Sequence, residues 1–92
     1  MTALLRITAV TAMRPYVLRV EFASGATHLV DVGRLVAELA IFEPLRSQPK
    51  LFGEVRVGEW GADLGWGGDM ELSADTLWKL ARRGAEQELR AG

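Results

Sequence analysis

The sequence predicts an α+β fold: a small antiparallel sheet, made of a three-stranded N-terminal meander plus a second strand pair, covered by a C-terminal helix and short helical turns. Three observations carry this. Apolar and β-branched residues alternate with period two between Leu5 and Val32, turn residues interrupt that stretch near Pro15 and Gly25, and apolar residues recur at helical spacing after Ser73.

In the first strand, Leu5, Ile7 and Ala9 alternate with Arg6, Thr8 and Val10. Met13-Arg14-Pro15 then supplies a bend, with Pro15 tolerated at a strand start. The second strand has the clearest pattern. Tyr16, Leu18, Val20 and Phe22 fall on one face and Val17, Arg19 and Glu21 on the other, as in an antiparallel strand with one face in water. Ala23-Ser24-Gly25-Ala26 follows as a hairpin in which Gly25 supplies positive φ, leading into a third strand from Thr27 to Val32.

Asp31 stands ahead of a short helical segment, Val32 to Leu39, where its carboxylate can cap the first turn. Leu35, Val36 and Leu39 mark the apolar face. Ile41-Phe42-Glu43-Pro44-Leu45 and Pro49-Lys50-Leu51-Phe52 read as an irregular connection with one-turn helices, each proline acceptable at a first helical position. Their apolar side chains are expected to plug one end of the core. Glu54 to Val57 and Ala62 to Trp66 form the second strand pair, with Gly58 to Gly61 at the bend. For the last helix, Ser73 is the expected N-cap, Asp75 suits the positive end of the helix, and Leu72 and Leu77 make the staple across the cap. Leu77, Leu80, Ala81 and Gly84 share one face. After Gly84, only Leu89 is large and apolar.

The bulk numbers narrow the function. A chain of 92 residues with 11 basic and 12 acidic side chains, no cysteine and 49% apolar content suits one domain over residues 1–92, with a core over about 4–82 and a tail at 85–92 free to fray. Near-neutral charge argues against a dedicated nucleic-acid binder or an anionic membrane surface. Without cysteine there is no disulfide framework, thiol nucleophile or zinc ribbon, which suits the cytoplasm. MTALLRITAV is too short and too soon broken by Arg6 for a signal sequence, and no apolar run approaches the length of a spanning helix.

Few residues invite a chemical reading. Ser24, His28 and Asp31 run along one hairpin and strand, where successive residues alternate faces, so they read as a turn serine, a sheet histidine and a cap rather than a triad. One histidine and no cysteine leave only oxygen ligands for a metal, and Asp63, Asp69, Glu71 and Asp75 lack calcium-loop spacing. Gly65-Trp66-Gly67-Gly68 fails the dinucleotide register and has no following lysine. Its glycines are expected to turn the chain between the last strand and the helix. Two features stand out. Between Glu54 and Asp75 there are six acids against one base, Arg56, which marks an exposed acidic edge. The chain also carries three tryptophans, Trp60, Trp66 and Trp78, more than so short a domain buries fully. Exposed tryptophans are enriched at contact hot spots.

Taken together, Tyr16 to Phe22, Ser24-Gly25, Val30-Asp31-Val32, Phe42-Glu43-Pro44-Leu45, Leu51-Phe52 and the stretch Trp66 to Leu77 resemble the domain-of-unknown-function 2442 family of small bacterial proteins. The resemblance runs over about residues 5–80. In its closing signature Trp66, Gly68, Asp69, Leu72, Asp75 and Leu77 fit, while Met70-Glu71 departs from the usual rhythm. It implies an α+β fold and no catalytic residue. Some members of the family are joined to a helix-turn-helix domain and some belong to antitoxin-like gene pairs. This chain ends with its C-terminal helix, so no fused DNA-binding domain is expected.

The leading expectation is therefore a non-enzymatic protein-interaction module, antitoxin-like in role, that docks the product of an adjacent gene or a second copy of itself. Its candidate partner-binding residues are Trp60, Trp66, Trp78 and Asp69; no catalytic residue, cofactor or metal is expected. The alternative is a small-ligand or enzymatic domain using the carboxylates of the acidic loop 63–75. A third reading is weak nucleic-acid binding through Arg82, Arg83 and Arg90.

Overall fold

The computed structural model describes residues 5–91, with side chains through Arg83. Its elements are β1 (Ile7–Arg14), β2 (Val17–Phe22), β3 (Thr27–Asp31), α1 (Gly33–Glu38), α2 (Glu43–Ser47), β4 (Arg56–Val57), β5 (Asp63–Gly67), β6 (Met70–Ser73) and α3 (Ala74–Ala91). One-turn 3-10 helices occupy Ala40–Phe42, Pro49–Glu54 and Glu59–Gly61. Met1 to Leu4, Gly92 and the side chains after Arg83, those of Leu89 and Arg90 among them, lie outside what is described; the backbone of 85–91, expected as a tail free to fray, continues helix α3.

Two antiparallel sheets, ordered β1-β2-β3 and β4-β5-β6, with helices beside them make the fold α+β, as the sequence predicts. The second sheet has one strand more than the predicted pair. Gly67 and Gly68, at φ +103° and +59°, turn the chain between β5 and β6 rather than between a strand and the helix. Gly67 pairs with Met70 at the end of the ladder, beside a register shift, and Gly68 is the first residue of the two-residue turn; glycine adopts positive φ at both without steric cost.

The expected alternation holds from Leu18 to Phe22 in β2, but in β1 a register shift between Ile7 and Ala9 sets Val10 and Ala12, rather than Ala9, against the core, and Val17, expected on the solvent face, is buried. Leu18, Val20 and Phe22 of β2 are buried, and their cross-strand partners include Val30 of β3 and Ile7 of β1. Arg19 is exposed on the other face. Leu64, Trp66 and Leu72 bring the second sheet into the same core, and Val36, Phe42, Leu45 and Phe52 close it from the irregular middle of the chain. Phe42, Leu45 and Phe52 thus plug the core as predicted, whereas Ile41, 44% exposed, points outward. Asp31 accepts the Gly33 amide at 2.8 Å, but it does so from the end of β3, and Val32 occupies the N-cap position itself. At the other end of α1 the Arg46 guanidinium donates to the Val36 and Leu39 carbonyls, placing a cation where the helix dipole is negative.

Helix α3 leaves β6 directly and packs along β3, tying one sheet to the other. The predicted cap is present: the Thr76 amide donates to Ser73 Oγ at 3.1 Å, and Leu72 and Leu77 are both buried beside it. Replacing Ser73 by alanine should cost about 1 kcal/mol in urea denaturation, with glycine costing only a few tenths. Equal losses for the two would show that the hydroxyl does not act as the cap.

Candidate functional site

Of the three tryptophans only Trp60 projects into water, at 77% exposure. Its backbone lies in the left-handed region, φ 62° and ψ 8°, inside the turn Glu59–Gly61. That turn is well anchored. The Gly58 amide donates to the Asp63 carbonyl at 2.8 Å, and the Gly61 and Ala62 amides donate to the Gly58 and Glu59 carbonyls at 3.2 Å each. Ala62 in turn accepts the Ala74 amide at 2.9 Å, while Gly61 lies against the backbone of Ile7. An exposed indole thus stands on a backbone fastened to β1, β5 and the start of α3. Beside it Leu5, Arg6, Ala62, Ser73, Ala74 and Asp75 line a shallow hollow of about 370 Å³. That volume is at the lower end for small-molecule sites, and the hollow is open rather than enclosing.

The other predicted contact residues lie elsewhere. Trp66 is a core side chain, 7% exposed. Its indole N–H donates to the Phe52 carbonyl at 2.9 Å, and its ring stacks on Phe52 and meets Phe42 edge-on. Its burial on β5 leaves it no surface to offer a partner. Trp78 is half-buried on α3, edge-to-face with Phe22 at 5.2 Å and His28 at 5.6 Å. Asp69 is exposed at the β5–β6 turn.

The acidic residues do not converge. Glu54, Glu59, Asp69, Glu71 and Asp75 are exposed; Asp75 pairs with Lys79 at 3.0 Å, and the half-buried Asp63 lies against Gly58. Among the described residues no group of three His, Asp or Glu is placed to hold a metal. Paired carboxylates working as acid and base need a shared pocket that separates their ionisation, and these stand apart in water. Ser24, His28 and Asp31 likewise serve locally. Ser24 Oγ accepts the Ala26 amide, His28 packs on Phe22 and Trp78, and Asp31 accepts the Gly33 amide. Arg82 and Arg83 are exposed on α3, and no helix among the described residues is long and apolar enough to cross a membrane.

The positive φ of Trp60 has no sequence signal, because a bulky residue is disfavoured there. Its exposure, by contrast, accords with the glycine-flanked bend in which it sits.

Comparison with known proteins adds a family and one structure. A family model described as "Protein of unknown function (DUF2442)" matches residues 7–83. Among solved structures, the chain is similar to a crystal structure named "Putative DNA Binding Protein" from Nitrosomonas europaea, with 31% identity and a TM-score of 0.78 over 88% of this chain. The chain spans about half of that protein, 51% of its length. No curated protein matches.

Proposed function

Because the chain belongs to the DUF2442 family, whose description carries no activity, we propose its role from its surface: it is a non-enzymatic protein-interaction module that docks a partner protein through Trp60. One observation carries this reading. A large apolar side chain, 77% exposed, is held at a φ that glycine would occupy without strain. For an L-residue the left-handed conformation costs about 1–2 kcal/mol. Core packing does not repay that cost, since the ring faces water; contact with a partner does, and buried tryptophans are the strongest single contributors at interfaces. The neighbouring acids, Glu59 beside the indole and Asp75 in the hollow, suit a partner with basic side chains. An antitoxin-like component in the cytoplasm is the form this role would take, and the product of the adjacent gene is the first partner to test.

The decisive variant is Trp60→Gly. Its expected stability equals or exceeds that of the parent by up to about 1 kcal/mol, because strain is relieved, while co-elution with the adjacent gene product is lost. Unchanged co-elution, or none for the parent chain, would sink the reading.

A second reading has one observation behind it, the name of the similar structure, which is about twice as long. Arg82 and Arg83 are the exposed cations that would meet DNA, against a net charge of −1. It requires a salt-sensitive shift of duplex DNA at low ionic strength, and absence of that shift would remove it.

A further inference from the structure

The end of β1 remote from Trp60 belongs to a second surface. Gly61, next to Trp60, lies against Ile7, and the strand from Ile7 to Met13 runs about 20 Å away from it. There Met13, Arg14 and Pro15 line a hollow of about 220 Å³ together with Pro49 and Lys50 of the 3-10 helix Pro49–Glu54. Pro49 and Lys50 also line a neighbouring hollow of about 440 Å³, which Leu51 shares. The two make one groove that passes over both sides of Lys50.

The groove combines apolar surface with unpaired positive charge. Met13 is 52% exposed, Leu51 is half-buried, and both prolines lie at the surface. Arg14 and Lys50 are exposed, and the ion pairs among the described residues, Arg34 with Glu38 and Lys79 with Asp75, include neither. One acid, Glu54, lines the larger hollow, so the cations are in excess. The walls are also rigid. Proline fixes φ on each side, Tyr16 packs edge-on against Phe52 at 5.2 Å, and the Leu51 amide donates to the Gln48 carbonyl at 2.9 Å. A preformed groove loses little entropy when filled, and an unbranched methionine adapts to the shape it meets.

We propose that this groove docks a segment of a partner protein in which carboxylates stand beside apolar side chains. The apolar side chains cover Met13, Pro15 and Leu51, and the carboxylates pair with Arg14 and Lys50. Charge complementarity selects this occupant. The Arg14 guanidinium offers a planar fork that takes a carboxylate through two hydrogen bonds. Nucleic acid fits less well, because phosphates would use the cations and leave the apolar wall uncovered, and two cations neutralise few phosphates. The surface lies apart from Trp60 and prefers the opposite charge, so the proposal goes beyond the Trp60 reading and does not depend on it.

For the test, random peptides displayed on phage are selected against the full chain, and the enriched peptides are synthesised and titrated into it. They should carry Asp or Glu beside Leu, Ile or Phe. R14E and K50E should each weaken their binding by at least about tenfold, and M13S by about threefold or more. All three positions are exposed, so each variant should keep the parent circular dichroism. Affinity should fall as salt rises. Trp60→Gly should bind the same peptides unchanged, which separates this surface from the one proposed above. No enrichment, enrichment of basic or uncharged peptides, affinity indifferent to R14E and K50E, or binding lost in Trp60→Gly would overturn the proposal. It would equally be overturned by an oligonucleotide that binds the parent and not R14E with no peptide enriched, which would assign the cations to nucleic acid. Self-association of the chain that K50E abolishes would overturn it in favour of a second copy.

Discussion

Replacing Trp66 by alanine should remove about 3–5 kcal/mol of stability and lower the melting temperature by more than about 10 °C. The loss has two parts. Its ring contributes to a continuous aromatic stack: Phe52 lies 5.6 Å away and nearly parallel, Phe42 meets it edge-on at 5.9 Å, and Tyr16 extends the cluster from Phe52 at 5.2 Å. Truncation would leave a void bordered by the irregular residues 40–54, a segment held by its buried side chains rather than by a sheet ladder. The second part is polar. Without the indole N–H, the Phe52 carbonyl loses its donor in a buried setting, which costs about 1–3 kcal/mol. Trp66→Phe keeps an aromatic ring in the stack but removes the donor and the rest of the indole, so it should lose about a third to a half as much as alanine. Hydrogen exchange would locate the damage: in Trp66→Ala, protection should fall first in residues 40–54 and last in β2. A loss below about 1 kcal/mol in urea denaturation would refute the packing account.

Much of this architecture can be read from residue order. Period-two alternation in Leu18, Val20 and Phe22 identifies a strand because burying one face of a sheet rewards that spacing alone. Ser73 with Leu72 and Leu77 identifies a helix start because cap and staple chemistry is local. β6 is hidden for the opposite reason. Four residues with only Met70 and Leu72 apolar are too short to display a period, and Ser73 at its end serves as strand residue and helix cap at once. Among the tryptophans, the alternation of Leu64 with Trp66 is a usable sign that Trp66 faces inward. The left-handed backbone at Trp60 carries no such sign, since local preference opposes it and only the contacts of Gly58 and Gly61 impose it. That β3 lies at the edge of its sheet is a property of strand order, which no local pattern encodes.

Gly61→Ala should be nearly as damaging as the loss of Trp66, though it adds a single methyl group. Two constraints coincide at Gly61. Its φ of +70° disfavours any side chain, and a Cβ there would lie 2.5 Å from the Ile7 carbonyl oxygen and 3.1 Å from the Ile7 nitrogen. Both obstructing atoms belong to the backbone of β1, so no rotamer change relieves the contact; either β1 or the Trp60 turn must move. Gly68 separates the two effects. It has a similar φ of +59°, and a methyl group added there would have nothing within 4 Å, so Gly68→Ala bears only the conformational cost of about 1–2 kcal/mol. Gly61→Ala should exceed that by at least about 1–2 kcal/mol, the range for overpacking a well-filled site. Because the turn that must shift carries Trp60, its indole should also change environment, visible as a shifted tryptophan side-chain resonance in Gly61→Ala and not in Gly68→Ala. Equal destabilisation by the two variants would mean that the turn yields freely, and that the exposed indole does not stand on a rigid base.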